Sequence, residues 1–181
     1  MKVVAAKVKS FPAQVAMATA VKNSRRSSAV RHGARKKVKR KAGIKPSKAK
    51  AKRSAAAKLA ANKRLVLTFY SHVIGRKDFE AARKYMGATY KQHSPYATDG
   101  HAGLAAFVKF FKENFPNHRY EVKKVLAEGD MVVLHLHGMG GMNPYGEQVV
   151  DFFRIKDGKV VEHWDVIQPI PEKSENPNGV F

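Results

Sequence analysis

Cysteine is absent from all 181 residues of the chain. This absence excludes disulfide bonds, a thiolate nucleophile and thiolate metal ligands. The chain also lacks an apolar run of the roughly 20 residues that a membrane-spanning helix needs. Its most apolar early stretch, residues 11–21, is interrupted by Pro12, Gln14 and Thr19. We therefore expect neither a membrane span nor a membrane partner.

Acidic residues are missing from the first third of the chain. Residues 1–64 contain 21 Lys and Arg and no Asp or Glu, whereas residues 65–181 contain 14 basic and 14 acidic residues. The net charge of +21 therefore belongs entirely to the first segment. Because a compact domain normally intersperses both signs over its surface, this asymmetry predicts a separate role for the first segment.

Residues 31–58 form a low-complexity run of Lys, Arg and Ala with isolated Gly and Pro. Because Val38 and Ile44 are its only sizeable aliphatic residues, the run cannot bury enough apolar area to offset the entropy of ordering its backbone. We predict that residues 1–54 form a disordered basic tail and that residues 55–181 form the folded domain.

Two roles remain open for the tail. Residues 1–28 have the Ala-, Ser- and basic-rich composition of an organelle transit peptide. Alternatively, the 21 unopposed positive charges of residues 1–64 would bind phosphates by releasing counterions. This binding would have no sequence preference, since Phe11 is the only aromatic residue there. We expect a cytoplasmic protein, and the tail leaves association with a nucleoid, nucleus or organelle open.

The apolar spacing predicts three helices, over residues 59–75, 79–86 and 103–114. Asp78 can cap the second helix, and Gly87 can end it. After Pro116 the apolar period drops to two.

This period predicts four antiparallel strands, over residues 120–126, 131–137, 148–155 and 160–168. The strongest local signal is Asp157-Gly158, since a type I′ hairpin turn requires positive φ at both central positions. Helices followed by a meandering sheet are an α+β order. We predict a curved antiparallel sheet wrapped on three N-terminal helices, with a pocket between them.

Polar side chains occur where this sheet should face its core. The two-residue period puts His135 and His137 on one face of their strand, opposite Leu134 and Leu136. If residues 138–146 close a hairpin, Asp151 can lie near the histidine pair. The pair allows three interpretations: catalysis, a hydrogen-bonded pair without chemistry, or metal binding.

Metal binding would recruit His93 or Asp151, but imidazole and carboxylate ligands without a recognised spacing are a weak signature. We predict no metal and no cofactor.

Four polar or aromatic residues follow one another in the last strand. Alternation places Glu162 and Trp164 on one face and His163 and Asp165 on the other. We take Glu162 and Trp164 as pocket candidates, with a core position as the alternative for Trp164. His163 and Asp165 are then structural or interfacial. His93, before a bend that Pro95 favours, is a further pocket candidate.

Four motifs occur in order over residues 59–181: YKQHSPYATDGHAG, HLH, VVDFFRIKDGKVVEHWDVIQPIPE and NGVF. In this order they resemble the SnoaL-like polyketide cyclases of the nuclear transport factor 2-like superfamily, a group predicted to catalyse aldol condensation. The resemblance implies a cone-shaped α+β barrel and a pocket Asp that acts as acid and base with help from a His. Asp151 and His137 match these positions.

An aldol closure needs a base to remove a proton between two carbonyls and a donor for the developing oxyanion. Asp151, flanked by Phe152 and Phe153, fits the base, and His137 or His135 fits the donor. We predict a cofactor-independent cyclase, as lyase or isomerase, acting on a small carbonyl substrate. The expected substrate-binding residues are His93, Phe153, Glu162 and Trp164.

A non-catalytic interpretation is the alternative, because one fold can serve unrelated functions. In it the domain binds a ligand or dimerises, and the tail binds nucleic acid. In either case we expect a homodimer formed through the open face of the sheet.

Overall fold

The computed structural model describes residues 47–181. Residues 1–46 of the predicted disordered tail (1–54) therefore lie outside the described residues, whereas residues 48–54 of it are helical. The helices are α1 (Lys48–Tyr70), which continues as a π-helical turn (Ser71–Gly75), α2 (Phe79–Arg83) and α3 (Gly100–Asn114). The strands are β1 (Met86–Gln92), β2 (Arg119–Glu128), β3 (Met131–Met139), β4 (Glu147–Lys156) and β5 (Lys159–Pro169). Within residues 47–181, each helix is too short or too polar to cross a membrane.

Helix α1 begins earlier than predicted, at Lys48 instead of Leu59. Residues 51–58 of this extension are exposed. The apolar spacing reveals only the part of a helix that buries one face. Ala and Lys extend the helix beyond that part through their intrinsic helix propensity. Asp78 caps α2 as predicted, and its side chain accepts a hydrogen bond from the backbone N–H of Ala81.

The sheet has five strands in the order β1-β5-β4-β3-β2, so the predicted four-stranded antiparallel sheet is incomplete. The additional strand, β1, pairs parallel to β5, and the other pairs are antiparallel. The expected helix end at Gly87 is wrong, because Gly87 lies inside β1. Only Met86 and Tyr90 of β1 are buried, so the strand shows no simple alternation.

The inner face of the sheet packs against α1 and α3. It carries Leu134 and Leu136 on β3 and Asp151 and Phe153 on β4, with Leu134 opposite Asp151. On the helix side, the Phe69 ring meets that of Phe153 edge-on at 5.9 Å. The predicted α+β arrangement of a sheet on N-terminal helices is confirmed.

A bulge in β5 decides which residues of that strand face inward. Asp157 and Gly158 have φ values of 51° and 70°, as the predicted turn requires. Next to the turn Ile155 pairs with Val160, but one step further Arg154 pairs with Glu162. The residue between them, Val161, is therefore an extra residue in β5, and it bends the strand and reverses its alternation.

Beyond the bulge Asp151 pairs with Asp165 and Phe153 pairs with His163. An unbroken register from the turn would instead pair Asp151 with Trp164. His163 and Asp165 thus share the inner face with Asp151, and Trp164 faces outward.

Candidate functional site

A cavity lies between the inner face of the sheet and the helices, with about 740 Å³ of space when its open mouth is included. Most of its walls are apolar, with Phe69 from α1, Val73 from the π-helical turn, and Leu104, Phe107 and Phe111 from α3. Polar side chains line it in two groups. The first centres on Asp151, and the second consists of His118 and Glu147.

The first group is a chain of hydrogen bonds across three neighbouring strands, β1, β5 and β4. His163 Nε2 lies 2.9 Å from Asp151 Oδ1, and both side chains are buried. On its other side, His163 Nδ1 lies 2.7 Å from Gln92 Oε1. The β4–β5 register brings the first pair together, and β1, the strand missing from the prediction, supplies Gln92.

The orientation of the Gln92 amide fixes the protonation of His163. Gln92 Oε1 accepts hydrogen bonds from the backbone N–H groups of His93 and Ser94, both at 3.1 Å. That oxygen can only accept, so Nδ1 of His163 must carry a proton. On the other side of the ring, Nε2 lies within hydrogen-bonding distance of Asp151 Oδ1, so the two side chains can pass a proton between them.

Other groups around Asp151 stay protonated more readily than usual. Burial raises the pKa of Tyr70 well above its ordinary value, and the charge of Asp151 adds to the rise. Burial and Asp151 raise the pKa of Tyr90 in the same way. Burial also raises the pKa of Asp165, against the effects of Ser94 and His163. Both tyrosines are therefore neutral hydrogen-bond donors beside the carboxylate.

One atom of this group has no partner. Asp151 Oδ2 is buried and has no hydrogen bond of good geometry to any residue of the described part of the chain, although the Tyr70 hydroxyl interacts with the Asp151 carboxyl group. A buried carboxylate oxygen without a partner is costly, so the hydrogen bonding of Asp151 is incomplete at Oδ2.

The same side chains could hold a cation. Ligand atoms of Asp151, His163 and Asp165 all lie within 4.8 Å of one another. Two carboxylates and an imidazole are acceptable ligands for several divalent metals.

His118 and Glu147 form the second polar group. Burial lowers the pKa of His118 to about 4, and the positive charge of Lys77 contributes. Burial raises the pKa of Glu147. Lys77 Nζ donates to the backbone carbonyls of Pro116 and His118, at 3.4 and 3.2 Å, and is itself buried. At neutral pH this group therefore presents an uncharged imidazole.

His135 and His137 do not join Asp151, so the expected proximity is wrong. They lie on the outer face of β3, since Leu134 and Leu136 occupy the inner face. Their rings contact that of Phe181, with centroids 5.4 and 4.7 Å away. The predicted alternation was correct, but the opposite face of the strand lines the pocket.

His93, Glu162 and Trp164 also lie outside the cavity, contrary to the prediction. The His93 ring stacks on Trp164 at 4.7 Å, and its Nε2 lies 2.9 Å from Glu162 Oε1. Arg154 donates to the other oxygen of Glu162 at 2.9 Å. Of the predicted binding residues, Phe153 alone lines the cavity.

Sequence reasoning missed His163 and Asp165 as pocket residues because their alternation was read without the bulge at Val161. It also missed His118 and Glu147, which lie at strand boundaries with no recognisable motif. One sequence feature could have pointed to His163. The hairpin turn at 157–158 makes its strand the neighbour of the strand that carries Asp151.

Solved structures of similar fold include AclR of Streptomyces galilaeus, described as a candidate hydroxylase. AclR is 28% identical to this chain, with a TM-score of 0.51, and the match covers 60% of this chain and 79% of AclR. A candidate polyketide cyclase of Bacillus cereus ATCC 10987 has 23% identity and a TM-score of 0.52 over 59% and 74%. IdmH, a candidate polyketide cyclase of Streptomyces antibioticus, has 19% identity and a TM-score of 0.51 over 59% and 91%.

These likenesses confirm the predicted nuclear transport factor 2-like fold. A search of curated proteins gives no match. The family model for SnoaL-like polyketide cyclases matches residues 64–172, well over half of the chain and all of the inner sheet face around Asp151. The protein therefore belongs to the SnoaL-like polyketide cyclase family.

Proposed function

We propose that the protein is a cofactor-independent cyclase or isomerase in which Asp151 moves a proton next to a carbonyl group. The buried contact between Asp151 Oδ1 and His163 Nε2 is the observation that carries this proposal. Family membership supports a cyclase or isomerase at the level of enzyme class. The largely apolar walls favour a mainly apolar carbonyl substrate.

In the proposed reaction Asp151 Oδ2, the oxygen without a partner, takes a proton from the carbon beside a carbonyl. The C–H electron pair forms an enolate, whose oxygen accepts a hydrogen bond from Tyr70 or Tyr90. Tyr90 receives a hydrogen bond from Gln92 Nε2 at 3.3 Å, which leaves its own proton free to donate. His163 balances the charge of Asp151 before the transfer.

For cyclisation the enolate carbon attacks a second carbonyl of the same substrate, a C–C bond forms, and the new alkoxide takes the proton back from Asp151. For isomerisation the proton returns to a different carbon. Either sequence restores Asp151, so neither consumes a co-reactant.

Deuterium exchange tests this proposal without knowledge of the natural substrate. In D₂O, 2-acetylnaphthalene should exchange its methyl protons faster with the protein than without it, as followed by proton NMR. Asp151→Asn should lower the catalysed rate by roughly 10²- to 10⁴-fold, because it removes the base and keeps the shape. Asp130→Asn, a change at a half-exposed aspartate that pairs with Arg154, is the matched control and should have no effect.

Full exchange activity in Asp151→Asn would contradict the proposal and make Asp165 the next carboxylate to test. A chelator arm separates metal chemistry, since activity lost with EDTA and restored by zinc would make Asp151, His163 and Asp165 metal ligands. No measurable exchange, together with ligand binding, would favour the non-catalytic interpretation.

The tail supports a second proposed activity, nucleic-acid binding without sequence preference. Its 18 basic residues have no acidic neighbours, and the part of it that α1 includes is exposed over residues 51–54. Arrays of this kind bind phosphates electrostatically.

A homodimer is also proposed, through the outer face of the sheet. Leu126 on β2 and Val166 on β5 are exposed apolar residues. Burying such side chains would stabilise a two-fold interface.

A further inference from the structure

The cavity is polar at two places that are well separated along one strand. Glu147 and Asp151 lie on the same face of β4, four residues apart. At about 3.4 Å per residue this spacing is roughly 14 Å. Between them the wall is formed by Val149 and by Leu136 on β3. A ligand that reaches both polar groups must therefore be elongated and apolar in the middle.

His118, near Glu147, has hydrogen-bonding capacity that the protein does not use. Its Nδ1 is buried and makes no hydrogen bond within residues 47–181. The ring packs edge-on against Phe111, with centroids 4.7 Å apart, and this contact holds it at the cavity wall. Leaving Nδ1 unpaired costs stability, and the other nitrogen, Nε2, lies next to Gly138 on the same side as Glu147, where a ligand oxygen can reach it.

A glycine makes room for this group. The inward positions of β3 carry Val132, Leu134 and Leu136, and the next inward position is Gly138. A Cβ atom at Gly138 would lie 3.2 Å from His118 Nε2 and 3.7 Å from Glu147 Oε2. A larger side chain would therefore crowd both polar groups.

We propose that His118 and Glu147 bind a hydroxyl or carbonyl oxygen of the substrate, at the end opposite the carbon that Asp151 deprotonates. The inference rests on the proposed function and adds a substrate class to it. That class is elongated ketones with an apolar middle and an oxygen group at the end remote from the enolisable carbon.

The charges around His118 favour a neutral oxygen over an ionised group. Because burial keeps the imidazole uncharged at neutral pH, it offers one donor and one acceptor and no positive charge. The nearby cation, Lys77, already donates to two backbone carbonyls. A carboxylate would therefore gain little here, whereas a hydroxyl can donate and accept at once.

Two naphthyl ketones that differ only at the remote end test this inference. The first is 6-acetyl-2-naphthol and the second is 2-acetylnaphthalene, and their dissociation constants can be measured by calorimetric titration of the full chain. The wild-type protein should bind the naphthol about tenfold more tightly, as expected for one or two hydrogen bonds to neutral groups.

The His118→Phe variant should lose this preference, because phenylalanine keeps the packing on Phe111 and removes both nitrogens. Asp151→Asn should keep the preference, since it acts at the other end. Gly138→Ala should reduce it by crowding the imidazole. His118→Gln, which retains a donor and an acceptor, should restore part of it.

Equal binding of the two ketones by the wild type would overturn the inference, as would an unchanged preference in His118→Phe. If His118→Phe does not fold, Glu147→Met decides in the same way, with loss of the preference expected and its retention contradictory. Failure here is distinguishable from failure of the proposed function, because the proton transfer is measured separately by methyl exchange and depends on Asp151.

Discussion

His163 Nε2 lies 2.9 Å from Asp151 Oδ1, and the two residues come from neighbouring antiparallel strands on either side of a hairpin turn. The other nitrogen of His163 faces Gln92 on the parallel strand β1. One imidazole thus connects three strands of the sheet. Asp151 and Gln92 contact opposite sides of the His163 ring and fix its position. The group that exchanges a proton with Asp151 is therefore rigid.

Replacing Gln92 with Leu should slow methyl exchange of 2-acetylnaphthalene by roughly 10-fold, with a smaller change in KM. The reason is that Gln92 positions His163 and fixes its Nδ1 proton, and loss of such a partner typically costs 10- to 100-fold. Nitrogen-15 NMR of His163 should show a changed tautomer balance in the variant. Gln148→Leu, on the opposite face of β4, is the control. An unchanged rate in Gln92→Leu would remove Gln92 from the mechanism.

The double variant His135→Ala/His137→Ala should retain methyl exchange within about twofold. Both side chains lie on the outer face of β3, whereas the inner face meets the cavity. His163→Ala should instead lose most of the activity. The methyl-exchange assay distinguishes the double variant from His163→Ala. A large loss in the double variant would mean that these histidines reach the substrate after all.

The stability of the protein should fall with acid in part through His118. Its pKa is about 4 in the folded protein, below the roughly 6.5 of an unperturbed histidine. The unfolded chain therefore binds a proton as pH drops below 6.5, whereas the folded chain does so only near pH 4. This contribution to the free energy of unfolding is complete above pH 6.5 and is lost as pH falls towards 4.

Thermal melts at pH 7.5 and pH 4.5 measure this contribution. The drop in Tm should be smaller for His118→Phe than for the wild type, because the variant lacks the titrating group. Carboxylates titrate in both proteins and cancel in the comparison. Identical drops would show that His118 titrates normally in the folded state.

Deleting residues 1–54 should abolish nucleic-acid binding and leave Tm almost unchanged. The deletion removes 18 of the 35 basic residues, and those of its residues that α1 includes have exposed side chains from 51 onward. Fluorescence anisotropy with labelled DNA of unrelated sequences should give similar affinities that fall steeply with salt for the full chain. Equal binding by the shortened chain would place the interaction in the folded domain, and a large drop in Tm would show that the tail packs on it.

Much of the local structure follows from the sequence. The apolar spacing locates α1 and α3, and alternation locates β2 to β5, because those elements bury one face each. The Asp157-Gly158 turn follows from its need for positive φ, and Asp78 follows as a helix cap. Asp151 stands out as a charged residue between apolar neighbours at an inward position.

The sequence by itself determined that a basic, acid-free segment precedes an α+β domain, and it identified one carboxylate suited to an apolar pocket. Tertiary structure alone decided which residues surround that carboxylate. A single extra residue, Val161, reverses the alternation of β5 and brings His163 to Asp151 in place of Trp164. Strand β1, which alternation does not reveal, adds Gln92. Periodicity along one strand states which side chains share a face, but packing against the helices determines which face becomes the pocket.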